Sequence, residues 1–243
     1  MGRVLSALEQ SGLQLTHVLM AQLEDSHLPM VRSHFRPVLT TADLTQDVSV
    51  LIEVKVTTHN LLEDALSRLD AARLNSAVAV GEVGLDVFAS GPGGSSFPTT
   101  AVFDNCSLCL IRPRIIREGR VGDLLDAILA AGFEVSAIKT LHLRLDDCDE
   151  FFRVYKGIYR QYQEVIKYMA SSPCLALEVR GEQVVERFRE LCGPHDVEVA
   201  KVLRPNSLRA RFGKNTLFNA VHCTDCPEDG VLESQFIFST LTT

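Results

Sequence analysis

The segment Asn219-Ala220-Val221-His222-Cys223-Thr224-Asp225 holds the residues of this chain best suited to chemistry. A histidine titrates near neutral pH, and its neutral ring carries a lone pair, so His222 can serve as a nucleophile or a base. A nearby carboxylate, Asp225 or Glu233, could hold the ring. Arg112, Arg189, Arg209 and Arg211 could supply positive charge to a polyphosphate, although each alone is more often a solvated surface residue. The ordinary alternative for His222 is a buried ring satisfied by backbone, and both readings stand at this level. The stretch from Arg204 to Gly213 is polar, rich in turn formers and without strand or helix period, which predicts a functional loop.

The cysteines form a second chemical group. Cys106-x-x-Cys109 and Cys223-x-x-Cys226 could offer four thiolates to zinc. The first pair lies on a predicted strand, however, where residues three apart point to opposite faces. That favours buried free thiols over a metal site.

Several elements must position these groups. Cys106 to Ile111 reads as a buried strand ended by Pro113, and Gly122 to Ala131 as an amphipathic helix stopped by Gly132. Phe133, Val135 and Ile138 alternate as a strand. Asp146–Tyr159 and Glu164–Met169 read as two helical pieces, and Cys174 to Val179 as another strand. Val184, Val185, Phe188 and Leu191 have helical spacing, while Ser234 to Ser239 alternates as a closing strand. Four strands linked by helices predict a two-layer α/β sandwich, with helices on one sheet face and the other free to pack on a neighbour.

With 243 residues, 46% hydrophobic and 23% charged, the chain is a packed globular protein of one large or two small domains. Its formal charge of −7 and lack of tryptophan argue against nucleic acid as a partner. No apolar run reaches the ~20 residues of a membrane-spanning helix, and the start of the chain lacks a signal-peptide pattern. Seven cysteines, an odd number, suit a reducing, cytoplasmic compartment.

A glycine-rich stretch from Ser90 to Pro98 punctuates the chain and divides it into residues 1–90, a linker 91–102, and residues 103–243. The two parts echo each other. Gly2 to Leu13 parallels Gly122 to Phe133 at a separation of 120, and Leu51-Ile52-Glu53-Val54 parallels Ala176-Leu177-Glu178-Val179 at 125. The first part therefore reads as a shortened, degenerate copy of the second, beginning at its first helix and lacking any Asn-x-x-His motif.

Cys109-Leu110-Ile111-Arg112-Pro113, Gly119-Arg120-Val121-Gly122 and Asn219-Ala220-Val221-His222-Cys223-Thr224-Asp225 together resemble the nucleoside diphosphate kinase family. Its patterns are Ile-Lys-Pro-Asp after the first strand, a glycine-bearing helix start, and Asn-x-x-His-Gly-Ser-Asp around a phosphorylated histidine. Gly193-Pro194, Leu203-Arg204-Pro205 and Pro227-Glu228-Asp229-Gly230 are similar to a ciliary branch with two kinase-like domains in tandem. The resemblance implies a ferredoxin-like α/β sandwich from about Phe103 onward, preceded by the degenerate copy. It also implies His222 as nucleophile, Glu233 as its orienting acid, Asn219 at the nucleotide sugar, and Arg189 and Arg209 at the phosphates. Mg²⁺ would bridge the phosphates of nucleoside di- and triphosphates, with no protein cage for a metal.

The chain departs from the family at several positions. Arg112 stands for the phosphate lysine, Phe152 for the active-site tyrosine, His195 for a phosphate-touching threonine and Cys223 for the glycine after the nucleophile. Tyr162 is the nearest aromatic to the position that packs on the base. With these departures, the resemblance implies a structural protein inside ciliary or flagellar doublet microtubules that still binds nucleotide. Its partners would be tubulin or other axonemal proteins, in the cytoskeleton of the cytoplasm and cilium. An active kinase working through phosphohistidine is the alternative.

Overall fold

The computed structural model describes residues 1–21, 35–36, 49–55, 64–65, 67–68, 80–81 and 98–242. The glycine-rich stretch from Ser90 lies outside the described residues as far as residue 97, as does the region that would match Asn-x-x-His in the first part. The second part begins with β3 (Cys106–Ile111), followed by α2 (Pro113–Arg117), α3 (Val121–Ala130) and β4 (Glu134–Leu141). It continues through α4 (Leu145–Phe151), α5 (Tyr162–Met169), β5 (Cys174–Arg180) and α6 (Val184–Cys192). Then come α7 (Val197–Leu203), α8 (Leu208–Phe212), β6 (Val221–Cys223) and α9 (Asp229–Phe238). Before them lie α1 (Gly2–Gln10), β1 (Gln14–Ala21) and β2 (Ser49–Lys55). A two-residue ladder pairs Phe35–Arg36 with Val80–Gly81.

The six strands form one sheet in the order β2-β1-β4-β5-β3-β6, with every pairing antiparallel. Within the second part, the order β4-β5-β3-β6 is that of a split βαββαβ unit. Both faces of this sheet are covered. One core packs Leu5, Leu124, Ile128, Phe188 and Phe212 against Cys109, Ile111 and Leu177. The other packs Phe152, Val165, Met169 and Ile237 against Leu108, Leu110 and Ala176. The expected free face is therefore absent, because α4, α5 and α9 occupy it. A strand buried on both sides shows no alternation, which is why Cys106 to Ile111 is a continuous run of buried residues.

The closing segment is also not a strand. Gly230, Ser234, Ile237 and Phe238 are its buried residues, at spacings of four, three and one, so Asp229–Phe238 is a helix with one face on the sheet. The Phe236/Phe238 alternation misled because only Phe238 is fully covered, while Phe236 leans on Phe151 with ring centroids 5.7 Å apart. The fourth strand is instead Val221–Cys223, within the stretch of polar residues around His222. The helix expected over Asp146–Tyr159 ends at Phe151 and gives way to a 3₁₀ turn at Arg153–Tyr155.

The first part repeats the second in register as well as in sequence. Strand β1 pairs β2 from Gln14↔Lys55 to Ala21↔Ser49, with a shift between Leu15 and His17. Strand β4 pairs β5 from Glu134↔Arg180 to Leu141↔Cys174, with a shift between Val135 and Ala137. These positions correspond at the offsets of 120 and 125, including the bulge. The two units meet about a local two-fold axis. Leu19 pairs with Lys139, its own counterpart at that offset. A Cβ on Gly2 would strike Asp126, and one on Gly122 would strike Ser6, the counterpart of Asp126. Helices α1 and α3 thus approach too closely for any side chain at either glycine.

The contact is polar at its rim. Glu9 accepts hydrogen bonds from the Val121 and Gly122 amides at 3.0 and 2.9 Å, capping α3 from another helix. Burial raises its carboxyl from the ordinary 4.5 to about 7, outweighing the opposite pull of those two amides. Further along, the fully buried Glu178 accepts from the Val102 amide at 2.6 Å, the Phe103 amide at 3.2 Å and the Ser136 hydroxyl at 2.7 Å. That carboxylate fixes how the chain enters β3.

Gly122→Ala should lower stability by about 1–3 kcal/mol, the usual cost of forcing atoms into a packed contact, as measured by urea unfolding. A carboxyl with a raised folded pKa stabilises fully below its unfolded value and loses that contribution as pH rises through the folded value. Thermal stability should therefore fall between pH 4.5 and about 7, and Glu9→Gln should flatten that slope.

Candidate active site

His222 is the middle residue of β6, where it pairs with Leu110 of β3, flanked by Cys109↔Cys223 and Ile111↔Val221. The chain enters this strand through a strained turn. Ala220 has φ +79°, and the Val221 amide bonds back to Asn219 O at 3.1 Å, the geometry of a γ-turn of positive φ. The Arg112 amide holds the turn by bonding Ala220 O at 2.9 Å. The expected loop is thus partly strand, and α8 accounts for Leu208–Phe212.

Glu233 comes from α9, one helical turn after Asp229. Its Oε2 lies 3.1 Å from His222 Nε2 and accepts the Thr224 hydroxyl at 2.8 Å. Thr224 Oγ1 accepts the Leu108 amide at 2.9 Å. A carboxylate only accepts, so Nε2 carries the ring proton and the lone pair sits on Nδ1. The ring is 2% exposed and meets Phe151, Phe152 and Tyr155 edge-on at 5.2, 5.5 and 6.1 Å.

Three arginines bond to the segment from Ala220 to Asp225 that carries this histidine. Arg112 is buried and donates from Nη1 to Leu217 O at 2.8 Å, and its Nε has no partner. Burial lowers its pKa to about 10. Arg209 donates to Gly193 O at 2.7 Å, to Val221 O at 3.2 and 3.3 Å, and to Cys223 Sγ at 3.6 Å. A hydrogen bond from Cys192, together with Arg209, draws the Cys223 thiol down to about 6. Arg189 is half-exposed, donating to Asp225 O at 2.8 Å and pairing with its carboxylate at 3.4 Å. Among the described residues, neither Arg112 nor Arg209 pairs with a carboxylate. Arg211 is turned away, over the Phe212 ring.

Phe152 is fully buried beneath the histidine. His195 stacks on Tyr159 at 4.6 Å and receives the Asn219 amide at Nδ1, 3.1 Å away. Burial lowers the His195 pKa to about 4, helped by Arg209 and Arg112. Tyr162 is not at the site, since its hydroxyl bonds Asp149 at 3.0 Å. Asp225 does not hold the histidine either, because Tyr155 donates to its carboxylate at 2.7 Å. The site residues missed by sequence reasoning are Tyr155 and Tyr159, which stack on each other at 4.6 Å. Their spacing of four was visible, but it read as helix rather than as the turn that carries Tyr159. Six of the seven cysteines are buried and free, and Cys226 is exposed. Among the described residues, no group of three or more metal-binding side chains gathers.

A buried histidine on a short edge strand of a split βαββαβ sheet, held by a helix carboxylate among arginines, defines a nucleoside diphosphate kinase fold. Residues 105–242 match the profile of that family, nucleoside diphosphate kinase, and the chain belongs to it. The chain is similar to nucleoside diphosphate kinase homolog 7 of Rattus norvegicus, at 45% identity over 157 residues, covering 65% of this chain and 40% of that protein. It therefore spans about two fifths of the length of that relative. It is 36% identical over 135 residues to the nucleoside diphosphate kinase of Aquifex aeolicus, covering 56% of this chain and 94% of that one. An orthorhombic crystal structure of the Aquifex aeolicus enzyme matches with a TM-score of 0.53 at 35% identity, covering 57% of this chain and 97% of that chain. The fold is the ferredoxin-like α/β sandwich of this family.

The strained turn makes a specific prediction. Ala220→Gly should leave stability unchanged or slightly raised, whereas Ala220→Val should cost about 1–3 kcal/mol, since a β-branched residue resists positive φ. Urea midpoints measure both.

Proposed function

We propose that this protein binds nucleoside di- and triphosphates at the His222 cleft and serves as a structural component of ciliary or flagellar doublet microtubules. The observation that carries nucleotide binding is the pair of guanidinium groups, Arg112 and Arg209, both buried and, among the described residues, neither paired with a carboxylate. Burying such charges is costly unless an anion compensates them, and a polyphosphate supplies several. Asn219, with its buried Oδ1 unpartnered, suits a sugar hydroxyl. A phosphate-bridged Mg²⁺ needs only one or two protein carboxylates. Asp225, half-exposed beside Arg189, is the residue that would hold it, and the ion would neutralise phosphate charge.

The structural role rests on separate features. Val199, Val202 and Leu203 of α7 are exposed, as are Val154 and Ile158 on the neighbouring turn. Tubulin or other axonemal proteins are the proposed partners of these aliphatic surfaces, in the cytoskeleton of the cytoplasm and cilium. The proposed division of the chain is a degenerate, truncated kinase-like unit at 1–90, a linker at 91–102 and the kinase-like domain at 103–243. The matching register of β1–β2 and β4–β5 supports this division.

The second reading is an active kinase, favoured by the His222–Glu233 contact. In that reaction, His222 Nδ1 attacks the terminal phosphorus of a nucleoside triphosphate and the bond to the leaving diphosphate oxygen breaks. A second nucleoside diphosphate then takes the phosphoryl group back. Phe152 has no hydroxyl to donate to the phosphate. One lost hydrogen bond to a charged partner costs about 1.5–3 kcal/mol, so turnover should be at least tenfold below that of a relative with tyrosine there.

Incubation with terminally labelled nucleoside triphosphate and Mg²⁺ should give slow, acid-labile labelling that His222→Ala abolishes. The same variant should still co-sediment with doublet microtubules. Label persisting in His222→Ala would remove this residue as the sole acceptor, and failure of the wild type to sediment would remove the structural role.

A further inference from the structure

Four of the residues proposed to contact nucleotide are out of reach of solvent, although Arg189 is half-exposed. Arg112, Arg209, Asn219 and His222 are 1%, 8%, 0% and 2% exposed. Beside Asn219 lie His195, to which it is hydrogen-bonded, and Tyr159, stacked on His195, both half-buried. Tyr159 is sandwiched between Tyr155 at 4.6 Å, with planes 9° apart, and His195 at 4.6 Å, with planes 23° apart. Asp225 anchors one end of this stack through the Tyr155 hydroxyl. Asn219 anchors the other end, donating to both His195 Nδ1 and His195 O. The Asn219 amide group is thereby used within the protein, while Asn219 Oδ1 and Arg112 Nε stay buried without partners. Burial raises the Tyr159 hydroxyl, and the charges of Arg112 and Arg209 pull it partly back.

We propose that Tyr159 and His195 form a built-in plug of the nucleotide cleft, a stacked pair that must swing out before a nucleoside phosphate reaches Arg112, Asn219 and His222. The inference rests on the nucleotide-binding reading above. Three features of the chain allow the movement. The segment from Lys156 to Gln161 is a run of turns between the 3₁₀ turn and α5. Gly157 within it has φ +86° and no neighbouring atom within 4 Å of a Cβ position. Ile158, beside Tyr159, is exposed and adds little packing to hold the segment down. In the open state, the two unpartnered atoms and the Asn219 amide all become available to ligand. The closed rings are held by stacking, by the Asn219 hydrogen bonds to His195 and by the Tyr159 amide bonding Tyr155 O at 3.0 Å. Binding is thus reduced by the fraction of molecules that are open.

The test uses the full chain and two variants, Tyr159→Ala and His195→Ala, with circular dichroism to confirm folding. Phosphoramidate, a small phosphoryl donor that releases ammonia as a histidine nitrogen takes the phosphoryl group, probes access to His222 without any nucleotide. Fluorescent N-methylanthraniloyl-ADP with Mg²⁺ probes binding. Both variants should label at His222 faster than wild type by roughly three- to tenfold, the weight of one stacked aromatic pair. They should also bind the ADP analogue tighter by a similar factor. Equal labelling rates in all three proteins would overturn the plug. Weaker analogue binding by Tyr159→Ala would overturn it too, showing Tyr159 to be a platform for the base. Faster labelling with no analogue bound by any of them would support the plug and overturn the nucleotide-binding reading. If one variant does not fold, the other decides the matter.

Discussion

The site depends on a short ladder between Cys106–Ile111 and Val221–Cys223. Pairing Leu110 with His222 sets the position of the nucleophile candidate, and the next step of the same ladder ties the Arg112 amide to Ala220 O. The Leu108 amide reaches Thr224, and Thr224 reaches Glu233, so the strand also determines where α9 delivers its carboxylate. A single strand buried on both faces therefore supplies the arginine, the histidine register and the support of the acid. Because such a strand has little freedom to shift, the spacing among these groups comes from the core rather than from surface loops.

The surroundings of that ladder differ sharply in rigidity. Arg209 is held at three backbone contacts and a sulfur, and Glu233 at two side chains. Tyr159 and His195 lie outside the helices and strands and are held by stacking and by the Asn219 hydrogen bonds to His195. Burial, and after it the charges of Arg209 and Arg112, lower the His195 pKa to about 4, so the ring stays neutral near neutral pH. An anion entering there would reverse that balance, so the electrostatics and the closed geometry belong to one state of the cleft.

The first unit matches the second where the two meet. Its helix and two strands keep the pairing register, the bulge and the glycine contact, all of which lie at the junction with the second unit. Reciprocal contact across a local two-fold axis demands small residues on both sides at once, which Gly2 and Gly122 supply.

Local pattern revealed β3, α3, β4, β5 and α6, because apolar spacing in a window is enough to identify an amphipathic element. The His222–Glu233 pairing was legible too, through a motif whose spacing is carried by the family. The closing helix was not, since Phe236 and Phe238 alternate like a strand and only the sheet surface beneath Gly230 and Ser234 selects the helical period. The covering of the second sheet face, the strand around His222 and the stack over it were equally hidden. Sequence alone determined which elements form, the chemistry of the residues and the existence of a repeat. Tertiary structure decided which faces are buried, where two copies meet and whether the site is open, because each of these depends on contacts between residues far apart in the chain.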